Sequence, residues 1–234
     1  MLESFRALVN GGMDWVVSGM PNPALLVGLM AVTAVAAYFL GCSNGAIIVS
    51  KYILRDDIRA HGSGNAGLTN FFRTFGGPLT LLVILSDMLK AVLAVGFGLF
   101  VVWLTGWPGL SMEVKYWAGV FCLLGHMFPC MFGFRGGKGI LSGGTVAILI
   151  DWRLALLVWG GFLLLTALTR YVSLGSVYAA AFFPVGTWLY VSRDADVMTM
   201  SILLGGLILW KHRGNIQRLL KGEESKLSFR RKKE

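Results

Sequence analysis

Long apolar runs alternate along the chain with short polar or glycine-rich interruptions, and that alternation sets the expected elements. The first run, from about Ala24 to Val49, follows a Pro21-Asn22-Pro23 break and exceeds the ~20 helical residues that a bilayer core requires. From Lys51 to Gly77 the chain turns polar around His61-Gly-Ser-Gly-Asn-Ala-Gly67, which suits a loop or re-entrant segment rather than a regular helix. A second span runs from about Pro78 to Leu104 and is turned by Trp107-Pro108-Gly109. A third, from Val114 to Met131, ends in Gly125-His126-Met-Phe-Pro129 and meets the glycine stretch Phe134-Arg135-Gly136-Gly137-Lys138-Gly139. The fourth starts near Ile140 and is closed by Asp151-Trp152-Arg153, and the fifth covers Leu154 to Leu168. The sixth runs from about Leu174 to the polar Ser192–Asp196, and the seventh from Val197 to Trp210, entering Lys211-His212-Arg213-Gly214-Asn215-Ile216. The pattern predicts an all-α integral membrane protein with seven transmembrane helices in residues 24–226. Residues 1–23 read as an extracytoplasmic extension and 227–234 as a basic tail.

Composition supports the membrane reading: 56% of residues are hydrophobic and 14% charged, a combination outside the usual range of soluble domains. No cleavable signal peptide is expected, because Glu3 and Asp14 interrupt a weakly apolar start. The formal net charge of +9 is concentrated toward the C-terminus, which points to a membrane surface and anionic substrates rather than nucleic acid. Sixteen Lys and Arg residues fall on the side holding 51–77, 134–139, Arg170 and the tail, against four (Arg6, Lys115, Arg153 and Arg193) on the other. The positive-inside rule then places the N-terminus outside and the C-terminus in the cytoplasm, with the three polar segments on the cytoplasmic face. Cys42, Cys122 and Cys130 lack ligand spacing and read as small buried hydrophobes, with neither a disulfide nor a metal.

The candidate chemistry lies where those segments converge. Consecutive glycines let backbone N–H groups point at one spot, and Lys138 among them adds a cation, which suits a phosphate. A helix–helix turn carrying two stray charges would read the same way, and the stretch is not a nucleotide P-loop: Phe132 precedes Lys138 by six and Gly139 follows it. The first polar segment offers Ser63, Asn65, Asn70 and Arg73, and the third His212, Asn215 and Arg218. All can donate to oxyanions. No Asp or Glu stands where it would coordinate magnesium, so the expected ligand is a small phosphate ester handled without metal or cofactor.

Three motifs occur in order: Gly62-Ser63-Gly64-Asn65-x-Gly67-x-Thr69-Asn70-x-x-Arg73; Gly125-His126-x-x-Pro129 with Phe134-x-Gly136-Gly137-Lys138-Gly139; and His212-Arg213-x-Asn215-Ile216-x-Arg218-Leu219-x-x-Gly222-x-Glu224. Together they resemble the signatures of the PlsY family of bacterial acyl-phosphate:glycerol-3-phosphate acyltransferases, over about residues 24–226. Departures are Gly41-Cys42-Ser43-Asn44-Gly45 in place of a Gly-Ser-Ile-Pro-like turn, Ala91 for a glycine, and the N-terminal extension. The resemblance implies transfer of a fatty acyl group from acyl phosphate to the sn-1 hydroxyl of glycerol 3-phosphate, giving lysophosphatidate and inorganic phosphate at the cytoplasmic face of the bacterial plasma membrane. By motif position it implies that His212, Asn215 and Lys138 are catalytic. Ser63, Asn65, Asn70, Arg73 and Arg218 would bind substrate, with Gly136, Gly137 and Gly139 as a backbone cradle and Glu224 in a structural role. An upstream acyl-phosphate synthase is compatible with the family, though no residue here points to one.

The inventory fits that chemistry, because a mixed anhydride needs no covalent serine. The His-x4-Asp dyad of the soluble-type acyltransferases is absent, since Ala66, Met131 and Gln217 lie five residues beyond His61, His126 and His212. The hydroxyl proton has two acceptors open to it, His212 or a substrate phosphate oxygen. His126 reads as a buried, hydrogen-bonded histidine, the Asp87 and Lys90 pair as structural, and Ser142 and Thr145 as helix-packing or phosphate-seat residues. A phosphate-ester transporter is the rival reading, but no internal repeat is seen and the motifs gather at one face. The acyl chain is expected to enter sideways between spans, lined by Phe128, Phe132 and Phe134 near the glycine stretch and by Leu81, Leu82 and Ile84 near the first loop.

Overall fold

The computed structural model describes residues 23–227. The extension up to residue 22, with Arg6, and the basic run beyond Leu227 lie outside the described residues. Every regular element among the described residues is helical: α1 (Pro23–Cys42), α2 (Gly45–Ile48), which continues through a π-turn over Val49–Ile53, α3 (Leu68–Thr74), α4 (Leu79–Thr105), α5 (Ser111–Met127), α6 (Ile140–Ile150), α7 (Trp152–Thr169), α8 (Val172–Tyr190), α9 (Ala195–Lys211) and α10 (Arg213–Leu220).

Among the described residues four helical stretches are long and apolar enough to cross a membrane: Pro23–Ile53, Leu79–Thr105, Trp152–Thr169 and Val172–Tyr190. Where the third, fourth and seventh spans are expected, α5, α6 and α9 are shorter, with 17, 11 and 17 residues. The 11 residues of α6 rise only about 17 Å, so this helix by itself does not match a hydrocarbon core of about 30 Å. The first expected span is broken rather than continuous. α1 ends at Cys42, and the side chain of Asn44 restarts the helix by accepting from the Ile47 N–H at 3.1 Å. Asn44 Nδ2 also donates to the Ala66 carbonyl at 3.1 Å, which ties the break to the first polar loop.

Helix α5 lies at the centre and packs against α1, α4, α6 and α9. In lipid, helices associate through close packing and interhelical hydrogen bonds rather than the hydrophobic effect, so small residues mark the contacts. At the α1–α5 crossing a Cβ on Gly125 would lie 2.0 Å from the Tyr38 carbonyl oxygen, and one on Gly41 would lie 2.2 Å from that of Cys122. Only glycine at both positions lets the two backbones touch.

The three polar segments meet at one end of the bundle, with Arg170 beside them. Segment 51–77 is a folded unit, with Ile58 and Phe71 fully buried against Ala46, Ile47 and Val83. Arg59 carries it onto the next loop by donating to the Phe132 carbonyl at 2.6 Å. Lys138 donates to Asn215, Arg73 to Ser225 Oγ at 2.9 Å, and the Leu227 N–H to the Arg170 carbonyl at 2.7 Å. At the opposite end Asp151 caps α7, and Arg153 donates to the Tyr190 carbonyl at 2.7 Å. This end-to-end segregation follows the expected grouping of the polar segments.

Gly125→Ala is expected to destabilise the protein by about 1–3 kcal/mol or more through overpacking, read as a lowered thermal midpoint in detergent. Gly96→Ala, where a Cβ meets nothing within 4 Å, should leave the midpoint unchanged or raise it; equal effects of the two changes would refute the crossing as a packing constraint.

Candidate functional site

The polar end encloses a cavity of about 590 Å³. Ser63, Asn65, Asn70 and Arg73 reach it from the first polar segment, Lys138 and Gly139 from the glycine stretch, and His212, Asn215, Arg218 and Glu224 from the third segment. The three expected groups of residues are therefore brought to one place.

Within this wall the side chains hold one another. Lys138 Nζ donates to Asn215 Oδ1. Asn215 Nδ2 donates to Glu224 Oε1 at 2.9 Å, and Arg218 Nε donates to the other carboxylate oxygen at 2.8 Å. Glu224 thus fixes an amide and a guanidinium at once. Burial pushes the Lys138 ammonium down to about 8, with the nearby Arg218 charge acting the same way. A further anion in that space would oppose both effects and favour the charged ammonium.

His212 sits at the junction of α9 and α10 and is almost fully buried. Its Nδ1 lies 2.8 Å from the Ile208 carbonyl, which can only accept, so Nδ1 carries the proton and Nε2 is left with a lone pair. Burial holds this imidazole down to about 4, with a smaller contribution from Lys138 outweighed by the Ile208 contact. The ring is neutral near pH 7 and able to accept a proton.

Two groups of expected site residues do different work. Gly136 and Gly137 do not form the expected cradle: their N–H groups donate to the Met127 and His126 carbonyls at 3.2 and 3.1 Å. Glycine is required there by close approach, since a Cβ on Gly136 would lie 2.0 Å from the His126 oxygen. Of the three, only Gly139 lines the cavity, at φ +82° as the residue before α6. Asn70 lines the cavity, but its amide is engaged inside its own loop: Nδ2 donates to the carbonyls of His61 and Asn65 at 3.0 Å, and Oδ1 accepts from the Ser63 N–H at 3.1 Å. It shapes the loop that presents Ser63.

Sequence reasoning missed the second wall. Trp159, Phe162 and Thr166 of α7 and Val172, Ser173 and Ser176 of α8 extend the cavity between those two helices. Among the residues named for the acyl-chain route, only Ile84 lines it; Leu81, Leu82 and Phe134 instead face outward as exposed side chains. Ser142 and Thr145 donate to the carbonyls of Asp87 and Leu141, so they are helix-packing groups. The apolar wall carries no distinctive polar signal, and only α7–α8 packing shows which of its aromatics turn inward.

Comparison with known proteins places the whole framework in a family. Residues 31–222 match the family model described as glycerol-3-phosphate acyltransferase. A protein of that name from Finegoldia magna is 35% identical over 198 residues, covering 85% of this chain and 96% of the relative. One from Staphylococcus carnosus is 36% identical over 194 residues, covering 82% and 95%. Crystal structures described as PlsY (YgiH), an integral membrane glycerol 3-phosphate acyltransferase, superpose with TM-scores of 0.75 for the glycerol 3-phosphate form and 0.72 for the lysophosphatidic acid form. Each is 31% identical; they cover 85% of this chain, and 96% and 95% of their own lengths. With the motifs, the helical framework and the shared length in agreement, the chain belongs to the glycerol-3-phosphate acyltransferase (PlsY) family of bacterial integral membrane proteins.

Proposed function

We propose that the protein transfers a fatty acyl group from acyl phosphate to the sn-1 hydroxyl of glycerol 3-phosphate, releasing lysophosphatidate and inorganic phosphate. The observation that carries this reading is one cavity walled by cations and amides on one side and by Trp159, Phe162 and Val172 on the other. Such a space suits two phosphate-bearing molecules, one of them with an apolar chain. The two carboxylates that line it are already paired, Asp87 with Lys90 at 2.8 Å and Glu224 with Arg218 at 2.8 Å, so its unpaired polar capacity favours anions.

In this reaction Arg73, Lys138 and Arg218 hold the phosphates, Ser63 and Asn65 orient them, and Asn215 sets the Lys138 ammonium. The substrate hydroxyl gives its proton to His212 Nε2 as its oxygen bonds to the acyl carbon. The bond from that carbon to the phosphate oxygen breaks, and phosphate leaves with the electron pair. Positioning and charge stabilisation carry most of the rate, because the leaving group is good. The acyl chain enters between α7 and α8 instead of past the phenylalanines of the glycine stretch. Seven membrane passages, with an outside N-terminus and a cytoplasmic site, are supported by the charge asymmetry and by the alternation of polar connections between the two ends.

The direct test is phosphate release and lysophosphatidate formation by purified protein in lipid, given acyl phosphate and glycerol 3-phosphate. Uptake into sealed vesicles without product would overturn the enzymatic reading in favour of a transporter. In the same assay Lys138→Ala should lower activity about ten- to a hundredfold, as expected for loss of a charge-assisted contact worth roughly 1.5–3 kcal/mol. Unchanged kinetics in a folded variant would remove the glycine stretch from the site.

The pH profile provides a separate check. A neutral His212 is present above about pH 4 and a charged Lys138 below about pH 8, so kcat/KM should fall as pH rises through about 8. Lys138→Arg, whose guanidinium stays charged, should abolish that alkaline fall while leaving the substrate's own phosphate titration in place; a persistent fall would assign it to another group.

A further inference from the structure

Two histidines line the cavity, and their hydrogen bonds lock them in opposite tautomers. His212 has its proton on Nδ1, as described above. His126, near the C-terminal end of α5, meets a buried ammonium instead: Lys90 Nζ lies 2.6 Å from its Nδ1. Lys90 has three N–H donors, and all three are placed, on Asp87 Oδ1 at 2.8 Å, on the Ser43 carbonyl at 3.0 Å and on His126 Nδ1. An ammonium has no lone pair, so Nδ1 must accept, and the neutral ring carries its proton on Nε2. Asp87 Oδ1 is 3.7 Å from Nδ1, too far to claim that atom as a donor.

The Nε2–H has no hydrogen-bond partner among the described residues, although the residue is only 3% exposed. It lies where Gly137 leaves room, because a Cβ on that glycine would come within 2.2 Å of it. The next residue along the chain is Lys138. A donor held by a buried ion pair, beside the phosphate-binding lysine and on the wall of the cavity, has the features of a preorganised oxyanion donor.

We propose that His126 is a further catalytic residue, a neutral imidazole whose Nε2–H donates to the carbonyl oxygen of the acyl donor. This rests on the acyl-transfer reading given above. As the glycerol hydroxyl oxygen adds to the carbonyl carbon, the C=O electron pair moves onto that oxygen and His126 stabilises it. The pair then returns, the bond to phosphate breaks, and the hydroxyl proton stays on His212 Nε2. His126 transfers no proton, and Asp87 and Lys90 are positioning residues that fix its tautomer.

Two substitutions separate donation from support. In His126→Asn the shorter amide reaches the Nδ1 position, so its oxygen can still accept from Lys90 but no donor reaches the cavity. In His126→Gln the longer amide reaches the Nε2 position and restores a donor. We expect Asn to lower kcat about a hundredfold, the effect of losing one oxyanion donor, with KM for glycerol 3-phosphate within about threefold of wild type. Gln should recover about tenfold of that loss. Wild-type kcat in the Asn variant, or equal kcat losses in both variants tracking equal losses of thermal midpoint, would overturn the assignment. If the variants do not fold, ¹⁵N-histidine NMR of the wild-type protein, whose sequence has only three histidines, decides the same question. A protonated Nε2 on His126 is expected alongside a protonated Nδ1 on His212, and the reverse tautomer on His126 refutes the proposal. Should wild-type protein make no lysophosphatidate from acyl phosphate, it is the reaction assignment that fails, and the tautomer measurement still tests His126.

Discussion

The buried ion pair between Asp87 and Lys90 is the constraint on which the rest of this architecture depends. Two charges 1% and 2% exposed cannot be left unpaired in an apolar bundle, so every group around them has to be supplied by the fold. Asp87 Oδ1 takes the Gly45 N–H at 3.2 Å as well as the ammonium, and the Asp87 backbone carbonyl takes Ser142 Oγ at 3.1 Å. Lys90 reaches the Ser43 carbonyl at the break between α1 and α2 and the His126 ring on α5. One pair on α4 therefore specifies the register of α1, α2, α5 and α6. Such a pair adds little to stability compared with an apolar replacement, and its value lies in excluding other arrangements, because removing any one partner strands a charge.

That registration explains how rigid helices deliver a site made mainly from loops. The His126 and Met127 carbonyls receive the Gly137 and Gly136 N–H groups, so the glycine stretch is laid along the end of α5 before Lys138 turns toward Asn215. The third segment is set independently, through Glu224. Two supports, one rooted in the membrane-embedded pair and one at the surface, meet at the Lys138–Asn215 contact. The cavity between them has two solvents to serve: its cationic side faces the polar end of the bundle, and its aromatic side continues between α7 and α8.

Much of this was legible in the sequence. The helices follow the apolar runs because a lipid-facing helix must be apolar over most of its surface, and the polar residues of three motifs were few enough to stand out. The parts that were not legible concern direction and local geometry. Gly136 and Gly137 look like phosphate-binding glycines because the same residue type serves a donor array and a close backbone approach, and only the position of the His126 carbonyl distinguishes them. Asn70 carries the right chemistry but turns it inward. Lys90 and Asp87 pair at helical spacing, whereas their coupling to His126, 36 residues away in the chain, depends on how α4 and α5 cross. Trp159 and Phe162 belong to a helix that is apolar all round, so no periodicity marks the face that looks into the cavity.

The last described residues close one side of the cavity. Ser225 and Leu227 line it, Arg73 grips Ser225, the Leu227 backbone is tied to Arg170, and the Lys226 ammonium lies 5.5 Å from the centre of the Tyr171 ring. A nascent chain halted after α9 would have inserted its long apolar helices yet would lack His212, Asn215, Arg218, Glu224 and this closing segment. Truncated products stalled on the ribosome, or trimmed by a protease at the polar end, would occupy the membrane without the closed polar cavity. A late interruption therefore costs the chain its cavity and not its place among the lipids.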